Sequence, residues 1–186
     1  MTDKAPEVFE TTRLLLRRPL ATDAQAVFHS YAGDPRVTRY LSWPTHRTVA
    51  DTYAFAEWSD DEWERWPAGP YLLFARDSNR KRVLGSTGMA FKDTATADVG
   101  YALAHDAWGQ GFATEALQAM IEIARIIRIR QLEAHCHVNH VVSAHVLEKC
   151  GFQPEGPGAQ LTLFPNLGGG IRAEVLKYTF CFDDGQ

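Results

Sequence analysis

The sequence predicts an α+β fold, a sheet of short strands with helices on its faces, and three observations carry that prediction. Short apolar runs parted by polar turns recur between residues 71 and 103. From Gly111 to Ile127 the apolar residues fall into a helical period instead. Beyond that stripe, strand-like runs return on either side of a second, shorter helical segment. The expected order is β-α-α-β-β-β-α-β-α-β-β.

Residues 13–18, Arg-Leu-Leu-Leu-Arg-Arg, open as a strand that Pro19 stops. Thr22 or Asp23 is placed to cap a helix running to about Ala32, with Ala24, Val27, Phe28 and Tyr31 on one face. Gly33-Asp34-Pro35 breaks it, and a second helix is expected from about Thr48 to Trp66, ended by Pro67 and Gly69. The runs 71–75, 82–91 and 97–103, separated by turns at Asp77-Ser78-Asn79 and Lys92-Asp93-Thr94, read as an antiparallel meander. Ala113, Ala116, Leu117, Met120, Ile121, Ala124 and Ile127 form the stripe of the next helix. Glu115 in its first turn and Arg125 and Arg128 in its last suit the helix dipole. A strand over Gln131–Val138, a helix over His140–Cys150 stopped by Gly151, and an alternating last strand over Ile171–Phe182 complete the chain. One domain is expected to span residues 1–186, with flexible ends at 1–10 and 183–186.

Composition narrows the function. With 45% hydrophobic residues over 186 positions the chain can bury a sizeable core. Nineteen Lys+Arg against 23 Asp+Glu give a net charge of −4, which disfavours a nucleic-acid partner. The most apolar stretch is broken by Glu122, Arg125 and Arg128, so no membrane span is expected, and residues 1–7 lack the pattern of a secretory signal. Three cysteines, Cys136, Cys150 and Cys181, read as reduced thiols of a cytoplasmic protein.

Two segments carry the candidate chemistry. Trp108-Gly109-Gln110-Gly111-Phe112-Ala113-Thr114-Glu115 joins a strand to the long helix. Glycines there permit a tight turn, and the free N–H groups of the first helical turn make an anion site fit for a diphosphate. The plainer alternative is that Gly109 and Gly111 only shape the turn. There is no Gly-Lys-Ser/Thr phosphate loop and no three-glycine dinucleotide motif. The second segment is Val138-Asn139-His140-Val141-Val142-Ser143, where a strand hands over to a helix that Asn139 is placed to cap. Alone, Ser143 reads equally as a solvated helical residue.

In order and separation, four stretches resemble the GNAT superfamily of acetyl-CoA-dependent N-acetyltransferases, in its RimJ/RimL-like branch. They are Thr12-Arg13-Leu14-x-Leu16-Arg17, Asp98-Val99-Gly100-Tyr101-x-Leu103, Trp108 to Ala116, and Ser143-x-x-Val146-Leu147-Glu148-Lys149-x-Gly151-Phe152. The resemblance implies the GNAT fold: a central, mixed and mostly antiparallel sheet of about seven strands, with about four helices on its faces. It implies acetyl-CoA as cosubstrate and no metal. The cofactor would lie against the splayed strand at Leu103, with its diphosphate on Gly109, Gln110, Gly111, Phe112, Ala113 and Thr114. Trp108 departs from the Gln or Arg that opens the general family motif, but main-chain contacts do not depend on that side chain. His140 stands where the branch has Asn, so Asn139 and His140 share the expected pantetheine or adenosine contact. Ser143 would donate to the departing sulfur, after direct attack by a primary amine through a tetrahedral intermediate.

By the same resemblance, in which this position often carries Glu, Asp98 is the candidate base, acting through a water, or else a carboxylate that simply faces solvent. His46 is next, or else a structural or surface residue of its loop. His135 and His137 share a strand face at a spacing metal sites use, yet no convincing further ligand accompanies them, and zinc is disfavoured. The acidic, aromatic stretch 55–66 offers charge and cation–π contact to a cationic amine, or else packs its tryptophans inward as an ordinary amphipathic helix. The expected partner is an amine-bearing small molecule or a protein N-terminus, with no nucleic acid and no membrane, the enzyme being a monomer or homodimer. The competing expectation is a non-catalytic acyl-CoA-binding sensor or scaffold module.

Overall fold

The computed structural model describes residues 4–76 and 82–182, with the backbone alone at residues 157–160. Its strands are β1 (Val8–Glu10), β2 (Leu14–Arg17), β3 (Tyr71–Ala75), β4 (Val83–Phe91), β5 (Thr96–Leu103), β6 (Gln131–His137), β7 (Gln153–Phe164) and β8 (Ile171–Cys181). Its helices are α1 (Ala24–Val27), α2 (Pro35–Thr38), α3 (Val49–Arg65), α4 (Phe112–Ile126) and α5 (Val141–Lys149). The strands form one sheet in the order β1-β2-β3-β4-β5-β6-β8-β7. Every neighbouring pair is antiparallel except β5 with β6, which α4 connects as a parallel crossover. The α+β class and the antiparallel run β3-β4-β5 are as the sequence predicts.

Helices α4 and α5 cover one face of the sheet and α1, α2 and α3 the other. The central strands therefore lose the polar/apolar alternation of a half-solvated sheet. Tyr71, Leu72, Leu73 and Phe74 of β3 are all buried, as are Leu14, Leu15 and Leu16 of β2. The stripe of α4 packs Ala116, Leu117, Met120 and Ala124 into this core without exposure.

Several expectations change. Residues 1–10 were expected to be loose, yet Val8–Glu10 pair with β2, and Ala5 is buried with its N–H on the Pro67 carbonyl. An eighth strand results. Residues 1–3, 183–186 and the Asp77-Ser78-Asn79 turn lie outside the described residues. Asp23, one of the two expected caps, holds the N-cap position of the first helix but makes no side-chain capping bond to it. Asp23 accepts the Leu20 N–H at 2.8 Å while the Arg17 guanidinium forks onto its carboxylate, so the chain enters through a 3-10 turn at Ala21–Asp23. Gly33-Asp34-Pro35 is a joint rather than a plain break. Asp34 accepts the Arg36 N–H and starts α2, which brings the α-helices to five where about four were expected, with Pro35 in its first turn.

Helix α3 begins after Thr48, whose N–H Asp51 accepts, and ends at Trp66, which is extended before Pro67. Of the tryptophans in its acidic stretch, Trp63 is buried with its indole N–H on the Pro70 carbonyl, and Trp66 stacks on Phe91. Trp58 remains outward, and Asp60 pairs with Arg18. That stretch is largely an amphipathic helix built for packing.

Candidate active site

The one parallel pairing builds a fork. Strands β5 and β6 are joined only at Thr96–Gln131, Ala97–Leu132 and Asp98–Glu133, although both run on, to Leu103 and His137. The outer edge of β5 stays fully paired to β4 from Ala97 to Leu103. Its inner edge from residue 99 to 103 thus lacks a strand partner, and buried backbone groups of this kind demand one.

At the open end of the fork, Trp108 donates its indole N–H to the Leu103 carbonyl at 2.8 Å, a structural use for the residue that departs from the general motif. Gly109 and Gly111 then take φ of 72° and 79°, the left-handed region that favours glycine. Gly111 is the N-cap of α4 and has no side chain to cap it, so the first-turn N–H groups are left for something else. Arg13 clasps this loop from β2's approach. It reaches the Gln110 carbonyl at 2.8 Å and the Glu115 carboxylate at 2.6 Å, and its guanidinium lies over the Phe112 ring. Thr11 also donates to Glu115. Burial pushes the Glu115 carboxyl up, but these bonds outweigh it and hold the group below its usual range. Ala113 and Thr114 continue the first turn, half-buried.

On the α5 face, the Ser143 hydroxyl lies 3.0 Å from that of Tyr101 on β5. Burial pushes the Tyr101 phenol up to about 12, with the Ser143 bond pulling slightly the other way, so Tyr101 is neutral and able to donate. Cys136 and Cys150 lie on the same side, their thiols pushed up by burial to about 11. Neither is a ready nucleophile at neutral pH.

A family model described as an acetyltransferase (GNAT) domain matches residues 13–153. The chain belongs to the GNAT acetyltransferases. Among curated relatives, an uncharacterized N-acetyltransferase p20 of Bacillus licheniformis is 28% identical over 153 residues, covering 81% of this chain and 84% of the relative. Among solved structures, RimL, a ribosomal L7/L12 alpha-N-protein acetyltransferase in complex with coenzyme A, superposes with a TM-score of 0.80 at 23% identity, covering 95% of this chain and 99% of that one. The microcin C7 self-immunity acetyltransferase MccE, in complex with acetyl-CoA and AMP, gives 0.81 at 19% identity over 92% and 94% of the two chains. At these identities the structural matches speak for the fold. As a GNAT acetyltransferase the protein is an acyltransferase, and among its described residues no helix is long and apolar enough to cross a membrane.

The other sequence-predicted residues of this GNAT enzyme fall elsewhere than expected in detail. Asn139 does not cap α5. His140 holds that position, because the N–H groups of Ser143 and Ala144 turn back onto its carbonyl, while the Asn139 N–H bonds the His137 ring. Asn139 is exposed, whereas the His140 ring packs on Tyr40 at 4.8 Å with His137 on the same tyrosine at 5.0 Å. Burial, with the neighbouring His137, lowers the His140 pKa. His140 is thereby engaged with the α2 side of the site. His46 is pinned by Thr52 at 2.8 Å and packs on Trp43, and burial lowers its pKa too. It serves as a strut of the loop leading into α3.

Asp98 sits at the last rung before the fork opens. Alternation along β5 turns it to the opposite sheet face from Tyr101. Its partners there are Lys92 at 3.1 Å and His135 at 3.3 Å. Burial raises its pKa, but the His135 ring and the Lys92 ammonium outweigh that and hold it below the usual carboxylate range. The ligand atoms of Asp98, Glu133 and His135 converge within 4.8 Å. Lys92 and Lys177, however, place ammonium groups on Glu133 at 2.6 and 3.2 Å, where a divalent cation would need free carboxylate.

Sequence reasoning placed Arg13, Glu115 and Tyr101 in the matched stretches but gave them no role beside the loop or Ser143. It missed Asn166, in the β7–β8 turn, which bonds Thr45 and the carbonyls of Thr38 and Trp43 and so fixes the loop after α2.

Proposed function

We propose that the protein transfers an acetyl group from acetyl-CoA to a primary amine by direct attack on the thioester. The observation that carries this reading is the fork itself: an unpaired β5 edge leading straight into an uncapped, glycine-shaped helix start, with Ser143 beside it. These residues fit the coenzyme. Backbone groups of residues 99–103 would pair with pantetheine amides, Leu103 closing that run. The N–H groups of Gly109 to Thr114 would take the diphosphate, helped by the positive end of α4.

The remaining steps fall to this chain's own groups. A backbone N–H on the open β5 edge would stabilise the oxyanion that forms when nitrogen adds to the thioester carbon. Ser143 would donate its proton or a hydrogen bond to the leaving sulfur, and the neutral Tyr101 hydroxyl behind it can resupply that hydrogen bond. Overall, an ammonium and the thioester become an amide, free coenzyme thiol and one proton. Asn139, exposed beside the mouth of the fork, remains a cofactor contact in this reading, and His140 shapes the acceptor side through Tyr40. RimL acts on a protein amino terminus and MccE confers microcin self-immunity. Their shared fold supports an amine acceptor of either kind.

Thiol release from acetyl-CoA over a panel of peptides with free amino termini and small amines tests the proposal. Turnover of at least one acceptor is expected. Ser143→Ala should lower kcat by about 10²-fold or more while leaving the coenzyme-induced thermal shift intact. Coenzyme binding without release on any acceptor would mean a non-catalytic acyl-CoA-binding module instead. Unchanged turnover in Ser143→Ala would remove its role.

A further inference from the structure

Resting on the acetyltransferase reading above, we propose that His135, faced by Asp98, is the group that takes the proton from the acceptor amine. An alkyl ammonium cannot attack a carbonyl, so a site for this reaction needs a proton acceptor on the amine's side of the fork. The sulfur side is defined by Ser143 and Tyr101 on the α5 face. His135 lies on the other face. It stands two residues beyond Glu133, the last residue of β6 paired to β5, and so at the point where the strands begin to part.

The pair is built for orientation. Asp98 Oδ1 is buried and has no hydrogen-bond partner among the described residues, with Lys92 Nζ at 3.1 Å and His135 Nδ1 at 3.3 Å as its close polar neighbours. It stands beside His135 Nδ1 without a completed hydrogen bond, so a proton on Nδ1 would face the carboxylate and Nε2 would then keep its lone pair. Nε2 has no hydrogen-bond partner among the described residues, and the side chain keeps 23% of its exposure. The titratable groups around it are Asp98 on β5, Lys92 after β4, Glu133 and His137 on its own strand, Lys177 opposite it on β8, and Glu155 on β7. Lys92 and Lys177 each bridge two carboxylates, so both lysines are engaged and neither is a free amine.

The step is a proton transfer alone. The acceptor's ammonium gives one proton to Nε2, directly or through one water, and its nitrogen keeps the lone pair that then bonds to the acyl carbon. His135 afterwards releases the proton to solvent. Asp98 acts through His135 as a positioning residue, which revises the direct role first expected of it.

The test compares wild type, His135→Asn, His135→Ala and Asp98→Asn on the best amine of the panel, with kcat/KM followed over pH. His135→Asn should lose about 10²- to 10⁴-fold in kcat/KM and keep its coenzyme-induced thermal shift. The acid limb of the wild-type profile should vanish in that variant, and added imidazole should restore part of the activity of His135→Ala. Asp98→Asn should lose less and displace the limb. Should the variants not fold, the wild-type profile decides, taken with two amines of different pKa. An acid limb common to both supports the proposal, and a limb that tracks the amine overturns it. Activity of His135→Asn within about twofold of wild type, with an unchanged profile, also overturns it and leaves the acetyltransferase reading standing. No turnover in the wild type on any amine would instead defeat that reading.

Discussion

Gly111→Ala probes the coenzyme loop at its most constrained point. The residue has φ of 79°, and an added Cβ would sit 3.3 Å from the Arg13 guanidinium. A left-handed L-residue costs about 1–2 kcal/mol. Arg13 cannot swing aside freely, because it also bonds the Gln110 carbonyl and the Glu115 carboxylate. If the loop keeps its shape, the cost is paid in stability. A domain of this size loses about 2–4 °C per kcal/mol, so Tm should fall by about 2–8 °C. If the loop relaxes instead, its N–H groups diverge and coenzyme A binds about 5- to 30-fold more weakly. Gly109→Ala is the internal comparison. At φ of 72° with nothing within 4 Å of its Cβ, it carries the backbone cost without the crowding, and its losses should be the smaller. Calorimetric titration with coenzyme A and a thermal melt on the same samples read both quantities. Unchanged Tm together with unchanged affinity in Gly111→Ala would refute the role given to this loop.

Other expectations follow from the same geometry. Glu115 has its folded-state pKa depressed below 4.5, so its clasp with Thr11 and Arg13 contributes fully above that pH and is lost as pH falls through the lower folded value. Melts of wild type and Glu115→Gln should therefore differ near pH 6 and converge on acidification, and a constant difference would contradict this. Asn166→Ala frees the loop after α2 from the β7–β8 turn, and the expected reading is a rise in KM for the amine with the coenzyme affinity unaltered. Leu117→Ala hollows a position with no exposure under α4, and should cost about 2–5 kcal/mol, read as a denaturation midpoint shifted without change in slope.

What the sequence reveals depends on the range of the signal. The α4 stripe and the β3-β4-β5 meander are legible because their patterns repeat over many neighbouring residues. Three-residue β1 and four-residue α2 are too short to show a period. The coenzyme loop is visible in Gly109 and Gly111, since backbone demands leave their mark on residue choice. Its brace is not, because Arg13 and Glu115 stand 102 positions apart and meet only through the fold. Tyr101 and Ser143 are 42 apart and join through the packing of α5 on the sheet. Asp98 was read as a lone carboxylate for the same reason: its neighbours Lys92 and His135 come from the far end of β4 and from β6.

The gap between β5 and β6 has a bearing on solubility as well as on chemistry. An unpaired strand border normally invites a second chain to add itself on. Here the bare border lies in the middle of the sheet rather than at its rim, flanked by β6 and by the helices of both layers. Of the two true rims, β1 is only three residues long, and β7 is interrupted by Pro154 and Pro157 and by register shifts around them. The unpaired main chain of β5 is thus kept away from the sheet borders at which another chain could add as a further strand.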